Sequence, residues 1–111
     1  MKRTLHKTAL AVLLILASLA PAQAGNAKNP GKSIFQENCT FCHGEDGTAK
    51  TPPGVALGAH DLTSREVGKR SDTALAQTIS QGRNKMPAFS NKLDDSQIHE
   101  LILYIRTLEK K

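Results

Sequence analysis

Both cysteines of this 111-residue chain fall inside one pentapeptide, Cys39-Thr40-Phe41-Cys42-His43. Nothing else in the sequence restricts the fold as much. Three chemistries use two thiols and an imidazole at this spacing: a redox dithiol, a zinc site and the covalent attachment of haem. The rest of the chain has to discriminate among them.

The first residues bear on the compartment. Lys2, Arg3 and Lys7 form a positive end, an apolar run centred on "ALAVLLILA" follows, and Ala22 and Ala24 mark an A-x-A site. That order predicts a secretory signal over 1–24, cleaved after Ala24. The apolar core is shorter than the roughly 20 residues of a membrane span, so a retained anchor is the weaker reading. A lipoprotein signal would need a cysteine at the cleavage point, and the first cysteine is Cys39. The expected mature chain lies in the periplasm. Loss of the signal removes three of the 15 basic residues and none of the 10 acidic ones, so the formal charge falls from +5 to +2. No basic stripe with interleaved aromatics remains, which argues against nucleic acid as a partner.

A domain this small is marginally stable by itself. Secreted domains of this size often rely on several disulfides, whereas two cysteines permit one. The mature part has four aromatics, Phe35, Phe41, Phe89 and Tyr104, and no tryptophan. A large apolar cofactor would supply the missing core.

The pattern is all-α. Residues 25–30 read as a linker, and the domain is expected over 31–111. A short helix over 31–40 leads into the cysteines. Residues 44–62 read as loop, with Gly44, Gly47, Pro52, Pro53, Gly54 and Gly58. Thr63 to Glu66 fits a capping box for a short helix. A third helix runs over 72–81, capped by Ser71 or Asp72 and stopped by Gly82. Asp94 and Gln97 open the last helix, whose apolar stripe is Ile98, Leu101, Ile102, Ile105 and Leu108. A long structureless loop argues against an assignment unless it has a function, and wrapping a cofactor is such a function.

The dithiol reading needs a thioredoxin-like βαβ context, which is missing. A structural zinc site needs four ligands. Cys39, Cys42 and His43 would need His60 or His99 to complete a set, and adjacent Cys42 and His43 chelate a tetrahedral ion poorly. Cys-x-x-Cys-His is the attachment signature of haem c. Residues three apart share a helical face, so Cys39 and Cys42 reach the two vinyl groups of one porphyrin edge, and His43 projects to the iron. For the sixth position the mature chain offers one methionine, Met86, in "GRNKMPAFS". A lone methionine is by default a gap-filler. Here it follows a helix stop and precedes Pro87, and Met/His ligation suits an electron-carrying haem. His60, in "GAHDL", is the competing ligand, and an open site is the third reading.

In these pieces and in this order, the chain resembles the small bacterial mono-haem class I cytochromes c over about residues 31–108. "GKSIF" matches the N-terminal helix, "CTFCHGEDG" the haem motif, "ISQGRNKMPAF" the segment bearing the axial methionine, and "LILYIRTL" the C-terminal helix. The resemblance implies a fold of three to four helices with long loops around one covalent haem c. It implies that the terminal helices cross at Gly31, with Phe35 near Tyr104. In the family a proline carbonyl often orients the proximal histidine. Pro52 or Pro53 lies in the corresponding stretch, where the pair also reads simply as loop stiffening. The tryptophan that some relatives place near a haem propionate is missing, leaving Arg65, Lys69, Arg70 and Arg83 as candidates.

The expected function is single-electron transfer rather than enzymatic turnover. Haem c is held by Cys39 and Cys42, with His43 proximal and Met86 distal to the iron. The expected partners are oxidases, reductases or dehydrogenases, met by a monomer without a membrane anchor in its mature form. Lys50, Arg83, Lys85 and Lys92 are expected to rim an exposed haem edge, near Asp94 and Asp95. The alternative is a haem enzyme or sensor whose sixth position is open or displaceable.

Overall fold

The computed structural model describes residues 28–110. The expected signal over 1–24 and its cleavage point lie outside them, as do residues 25–27 of the linker. Six helical segments follow one another: α1 (Pro30–Asn38), α2 (Thr40–His43), α3 (Pro52–Leu57), α4 (Arg65–Gly68), α5 (Asp72–Gln81) and α6 (Asp95–Thr107). Among the described residues there is no strand, only an isolated bridge between Arg83 and Met86. The all-α expectation holds. The expected three to four helices become six segments, because two are single turns and one lies inside the stretch read as loop.

That missed segment is α3. Thr51 caps it by accepting from the Gly54 amide at 3.0 Å. Pro52 takes the first helical position, where an absent N–H costs nothing. Gly58 closes it at φ +66°. The cap of α4 also shifts by one residue. Ser64, not Thr63, accepts from the Val67 amide, because the Thr63 hydroxyl already donates to Asp61 at 2.6 Å. The other caps stand as expected. Ser71 opens α5, and a reciprocal capping box of Asp94 and Gln97 opens α6.

The core lies between α1, α5 and α6. Phe35, fully buried, packs with Leu75, Ile79, Leu93, Ile98, Leu101, Ile102 and Ile105. Four of the five expected stripe residues on α6 are buried, and Leu108, at the helix end, is half-buried. Helices α1 and α6 cross at Gly31. A Cβ there would overlap the Glu100 carbonyl and stand 2.9 Å from the Tyr104 Cβ. Only glycine lets two backbones approach so closely. One turn further on, the Phe35 and Tyr104 rings meet at 5.3 Å, tilted by 55°, the off-parallel geometry that aromatic quadrupoles favour.

Arg106 ties the α4–α5 junction to α6. Its guanidinium donates to the carbonyl oxygens of Gly68 (3.3 Å) and Arg70 (2.6 Å) and to the carboxylates of Asp72 (2.8 Å) and Glu109 (2.9 Å). Five N–H groups in a planar fork let one side chain hold four oxygens.

Candidate haem site

The cysteine motif straddles the junction of α1 and α2. The Cys39 amide donates to the Phe35 carbonyl at 2.8 Å, and the His43 amide to the Cys39 carbonyl at 2.9 Å. The turn is therefore helical from Cys39 to His43, which sets both thiols and the imidazole toward one side. Gly44 ends it at φ +77°. Helix α3 backs this turn almost without side chains. The Thr51 hydroxyl lies 2.9 Å from the carbonyl oxygens of both Phe41 and Cys42. A Cβ on Gly54 would collide with the Cys42 carbonyl. The Ala49 amide donates to the His43 carbonyl at 2.8 Å.

His43 is oriented by a backbone group the sequence did not reveal. Its Nδ1 lies 2.9 Å from the carbonyl oxygen of His60. Neither Pro52 nor Pro53 fills that role; both belong to α3. With Nδ1–H donating to a carbonyl, Nε2 carries the lone pair of a neutral imidazole. Burial lowers the His43 pKa and outweighs the opposing pull of that hydrogen bond, with the nearby His60 lowering it slightly further. The ring therefore stays in the form that ligates metals. Burial pushes the Cys39 thiol up to about 12. This suits neither a low-pKa redox dithiol nor a preformed thiolate site.

Met86 comes from the opposite direction in sequence. After α5, Gly82 turns the chain at φ +74°. Arg83 and Met86 then exchange both backbone hydrogen bonds, at 3.1 and 2.9 Å, around Asn84 at φ +53°. The Phe89 and Ser90 amides donate back to Ile79 and Ser80, which fastens this turn to the end of α5. Cys39, Cys42, His43 and Met86 all line one cavity of about 940 Å³, part of it open to solvent. An adjoining space of about 680 Å³ reaches the core through Leu75, Ile79, Leu101 and Ile105 and shares Cys39, His43 and Met86 with the first. The walls are mainly apolar. Two thiols on one edge, an imidazole with a free nitrogen and a thioether on another segment fit a flat, apolar, metal-bearing ring.

The remaining candidates separate. His60 lines the cavity, but its backbone sits behind the His43 ring, at the nitrogen turned away from Nε2. His99 is exposed on α6. Arg70 and Arg83 reach the cavity wall, as does Lys85, whereas Arg65, Lys69, Lys50 and Lys92 do not. The mouth is apolar at Phe41, 74% exposed, and at Leu57, 42% exposed.

Known proteins agree with this architecture. A family model described as cytochrome c oxidase, cbb3-type, subunit III matches residues 26–105. The chain is 39% identical over 84 residues to the cbb3-type cytochrome c oxidase subunit CcoP of Azospirillum brasilense, covering 74% of this chain and 28% of that protein. The chain thus spans less than a third of the oxidase-subunit relatives it matches. It is 32% identical over 108 residues to cytochrome c6 of Thermosynechococcus vestitus, covering 94% of this chain and 89% of that one. Among solved structures, the KustC0563 c-type cytochrome superposes with a TM-score of 0.67 at 30% identity, over 72% of this chain and 98% of its own. Cytochrome c6C of Synechococcus sp. PCC 7002 follows at 0.56 and 27%, over 70% and 92%. With its helical fold, its Cys-x-x-Cys-His turn and a family match over most of its length, the chain belongs to the c-type cytochromes, in the family of cbb3-type cytochrome c oxidase subunit III.

Proposed function

We propose that this protein is a periplasmic single-electron carrier. It binds one haem c through Cys39 and Cys42, with His43 and Met86 as axial ligands, and it shuttles electrons as a monomer between redox proteins such as oxidases, reductases or dehydrogenases. The observation that carries this reading is the convergence of His43 and Met86 on one apolar cavity, from segments 43 residues apart in the chain.

Haem supplies the one-electron ferric/ferrous couple. The chain does the rest. Cys39 and Cys42 would hold the ring edge at the α1–α2 junction as thioethers. His43 keeps its Nδ1 proton on the His60 carbonyl and presents Nε2. Met86 offers a soft thioether, which favours ferrous iron and raises the potential. Leu75, Ile79, Leu101 and Ile105 exclude water from the inner wall. The placement of His60 behind the proximal ring supports Met86 over His60 as sixth ligand. Phe41 and Leu57 at the mouth, with Val55 exposed on α3 and Arg83 and Lys85 nearby, form a small mixed surface suited to transient encounters. The extent of the match to cytochrome c6 supports a stand-alone carrier, and no described helix is long and apolar enough to cross a membrane.

The test is optical. The purified protein is expected to show a low-spin haem c spectrum with the weak far-red band of Met-ligated ferric haem, and no change when CO is added to the reduced form. Met86→Ala is expected to lose the band and bind CO. Rapid CO binding by the parent protein would instead identify a ligand-binding sensor or enzyme. Loss of the low-spin spectrum in His60→Ala but not in Met86→Ala would make the protein a bis-histidine cytochrome.

A further inference from the structure

Helix α2 is one turn of four residues, so all of its carbonyls belong to a helix C-terminus, where the helix itself supplies no donor. Each nevertheless has one. The Thr40 carbonyl accepts from the Gly44 amide at 2.9 Å, and the His43 carbonyl from the Ala49 amide at 2.8 Å. The two between them, of Phe41 and Cys42, share a single group, the Thr51 hydroxyl, which lies 2.9 Å from both. The same oxygen accepts from the Gly54 amide at 3.0 Å. A threonine hydroxyl has one proton and two lone pairs, and here it joins three main-chain groups of two helices.

Thr51 stands where α3 begins. The other end of α3 reaches the imidazole. The Ala59 amide donates back to the Gly54 carbonyl at 2.8 Å, and the Gly58 amide to the Val55 carbonyl at 3.3 Å. These bonds close the helix and set the direction in which the chain leaves it. His60 follows, with its carbonyl oxygen 2.9 Å from His43 Nδ1. Between the two ends, Gly54 lies against the Cys42 carbonyl, where a Cβ has no room. Helix α3 therefore holds the Cys42-His43 pair twice: by the main chain through Thr51, and by the ring through His60.

Loss of the hydroxyl has a consequence at a distance. The Cys42 carbonyl would lack a donor, and a carbonyl shielded from water costs free energy until it finds one. A replacement water has to enter between α2 and α3, which touch at Gly54. Its entry moves α3 outward and takes the His60 carbonyl with it. We infer that Thr51 is a positioning residue for His43: through α3 it fixes the hydrogen bond between Nδ1 and the His60 carbonyl, and so tunes the imidazole as a metal ligand. The inference rests on the haem reading of the cavity and deepens it. A firm hydrogen bond from one ring nitrogen makes the other a more basic ligand. A more basic ligand favours ferric over ferrous iron, so a slackened bond raises the midpoint potential.

The experiment uses the haem-loaded protein and two readouts: the midpoint potential at pH 7, and the exchange of the His43 Nδ1 proton with solvent, followed by NMR in the reduced form. Thr51→Val keeps the shape and the methyl group, which lies beside Gly44, and loses the hydroxyl. It is expected to raise the ferrous-to-ferric ratio at fixed solution potential by roughly threefold to tenfold, the size of part of a hydrogen bond to a charged group, and to speed the proton exchange. Thr51→Ser keeps the hydroxyl and should track the parent in both. Ser64→Ala is the control for a lost helix cap. Ser64 caps α4 as Thr51 caps α3, but it does not line the cavity, and its loss should lower stability while leaving both readouts unchanged. A Thr51 of purely structural importance would behave as Ser64 does, and that result overturns the inference. So does a shift in Thr51→Ser as large as that in Thr51→Val. If Thr51→Val retains no haem, Thr51→Ala and Thr51→Ser decide, because they differ by the hydroxyl alone: a higher midpoint in the alanine variant supports the inference, and equal midpoints overturn it. A parent without covalent haem fails the haem reading instead, before any variant is compared.

Discussion

Gly82→Ala should damage the proposed sixth-ligand site more than the fold. Gly82 sits at φ +74°, ψ 169°, a region open to glycine and closed to residues with a Cβ. Holding alanine there costs about 1–3 kcal/mol. Space adds to the strain. An alanine Cβ would stand 2.6 Å from the Met86 carbonyl oxygen and 2.9 Å from both the Ala88 nitrogen and the Pro87 carbonyl carbon. These are backbone atoms, so no rotamer change relieves them, and overpacking of this kind costs about another 1–3 kcal/mol. The cheapest relief is movement of the 83–88 turn, because residues 83–85, 87 and 88 are exposed. That movement carries Met86 with it. The expected variant unfolds at lower denaturant by about 2 kcal/mol or more, loses intensity in the far-red band and binds CO when reduced. Gly58→Ala is the internal control. Gly58 also has positive φ, at +66°, but nothing lies within 4 Å of its would-be Cβ, so only the backbone strain of about 1–2 kcal/mol remains. Its far-red band should be unchanged. If the two variants are alike in both stability and spectrum, the steric link from Gly82 to Met86 is wrong.

Two further outcomes follow from the packing and the turns. Phe35→Ala should cost about 3–5 kcal/mol, the usual loss for a fully buried aromatic, while the half-buried Tyr104 should cost less when truncated; equal losses in denaturant titrations would mean that the two rings do not divide the crossing as the structure places them. Asp61 accepts from the Thr63 hydroxyl and the Thr63 amide, which lower its pKa, hydroxyl first; a carboxyl depressed in the folded state lends stability above its unfolded value of 3.8 and loses it as pH falls through the lower folded value, so Asp61→Asn should flatten the acid side of the stability profile below about pH 4 and leave the neutral region's slope unchanged, as read by denaturation at a series of pH values.

How much was legible depended on whether a feature is local. The α6 capping box needs two side chains three residues apart, and Asp94 and Gln97 announce it directly. The Gly31–Phe35–Tyr104 crossing was legible only through resemblance to a family, because nothing in Gly31 itself says which helix will meet it. The α3 stretch reads as loop in sequence because Pro52, Pro53 and Gly54 look like breakers. In context each has a use: Pro52 starts the helix, and Gly54 lets it lie against the Cys42 carbonyl. The proximal hydrogen bond was illegible for a different reason. Its acceptor is a main-chain oxygen 17 residues from His43, and a carbonyl has no letter in the sequence. His60 looked like a rival ligand because of its ring, whereas its backbone makes the contact that the structure displays. Nothing in the local sequence singles out Arg106. Only the fold brings Gly68, Arg70 and Asp72 within its reach.

The two turns that face each other across the cavity are unequally secured, and this bears on which yields first. On the His43 side, the Ala49 amide, the Thr51 hydroxyl and the close approach of Gly54 bind the turn from the 49–54 stretch, and the His60 carbonyl holds the ring from further along the chain. To free His43, several of these must break together. On the Met86 side, the Arg83–Met86 pair is internal to the turn, and the links to α5 lie at Phe89 and Ser90, beyond Pro87. A segment with exposed backbone and few outside partners opens at low free energy, independently of the global transition. If Met86 is the sixth ligand as proposed, the 83–88 turn should yield before the His43 turn, and loss of the ligand should leave the His43 turn intact. The same asymmetry makes Gly82 more than a helix stop: its missing Cβ keeps the loosest wall of the cavity in the one arrangement that aims Met86 inward.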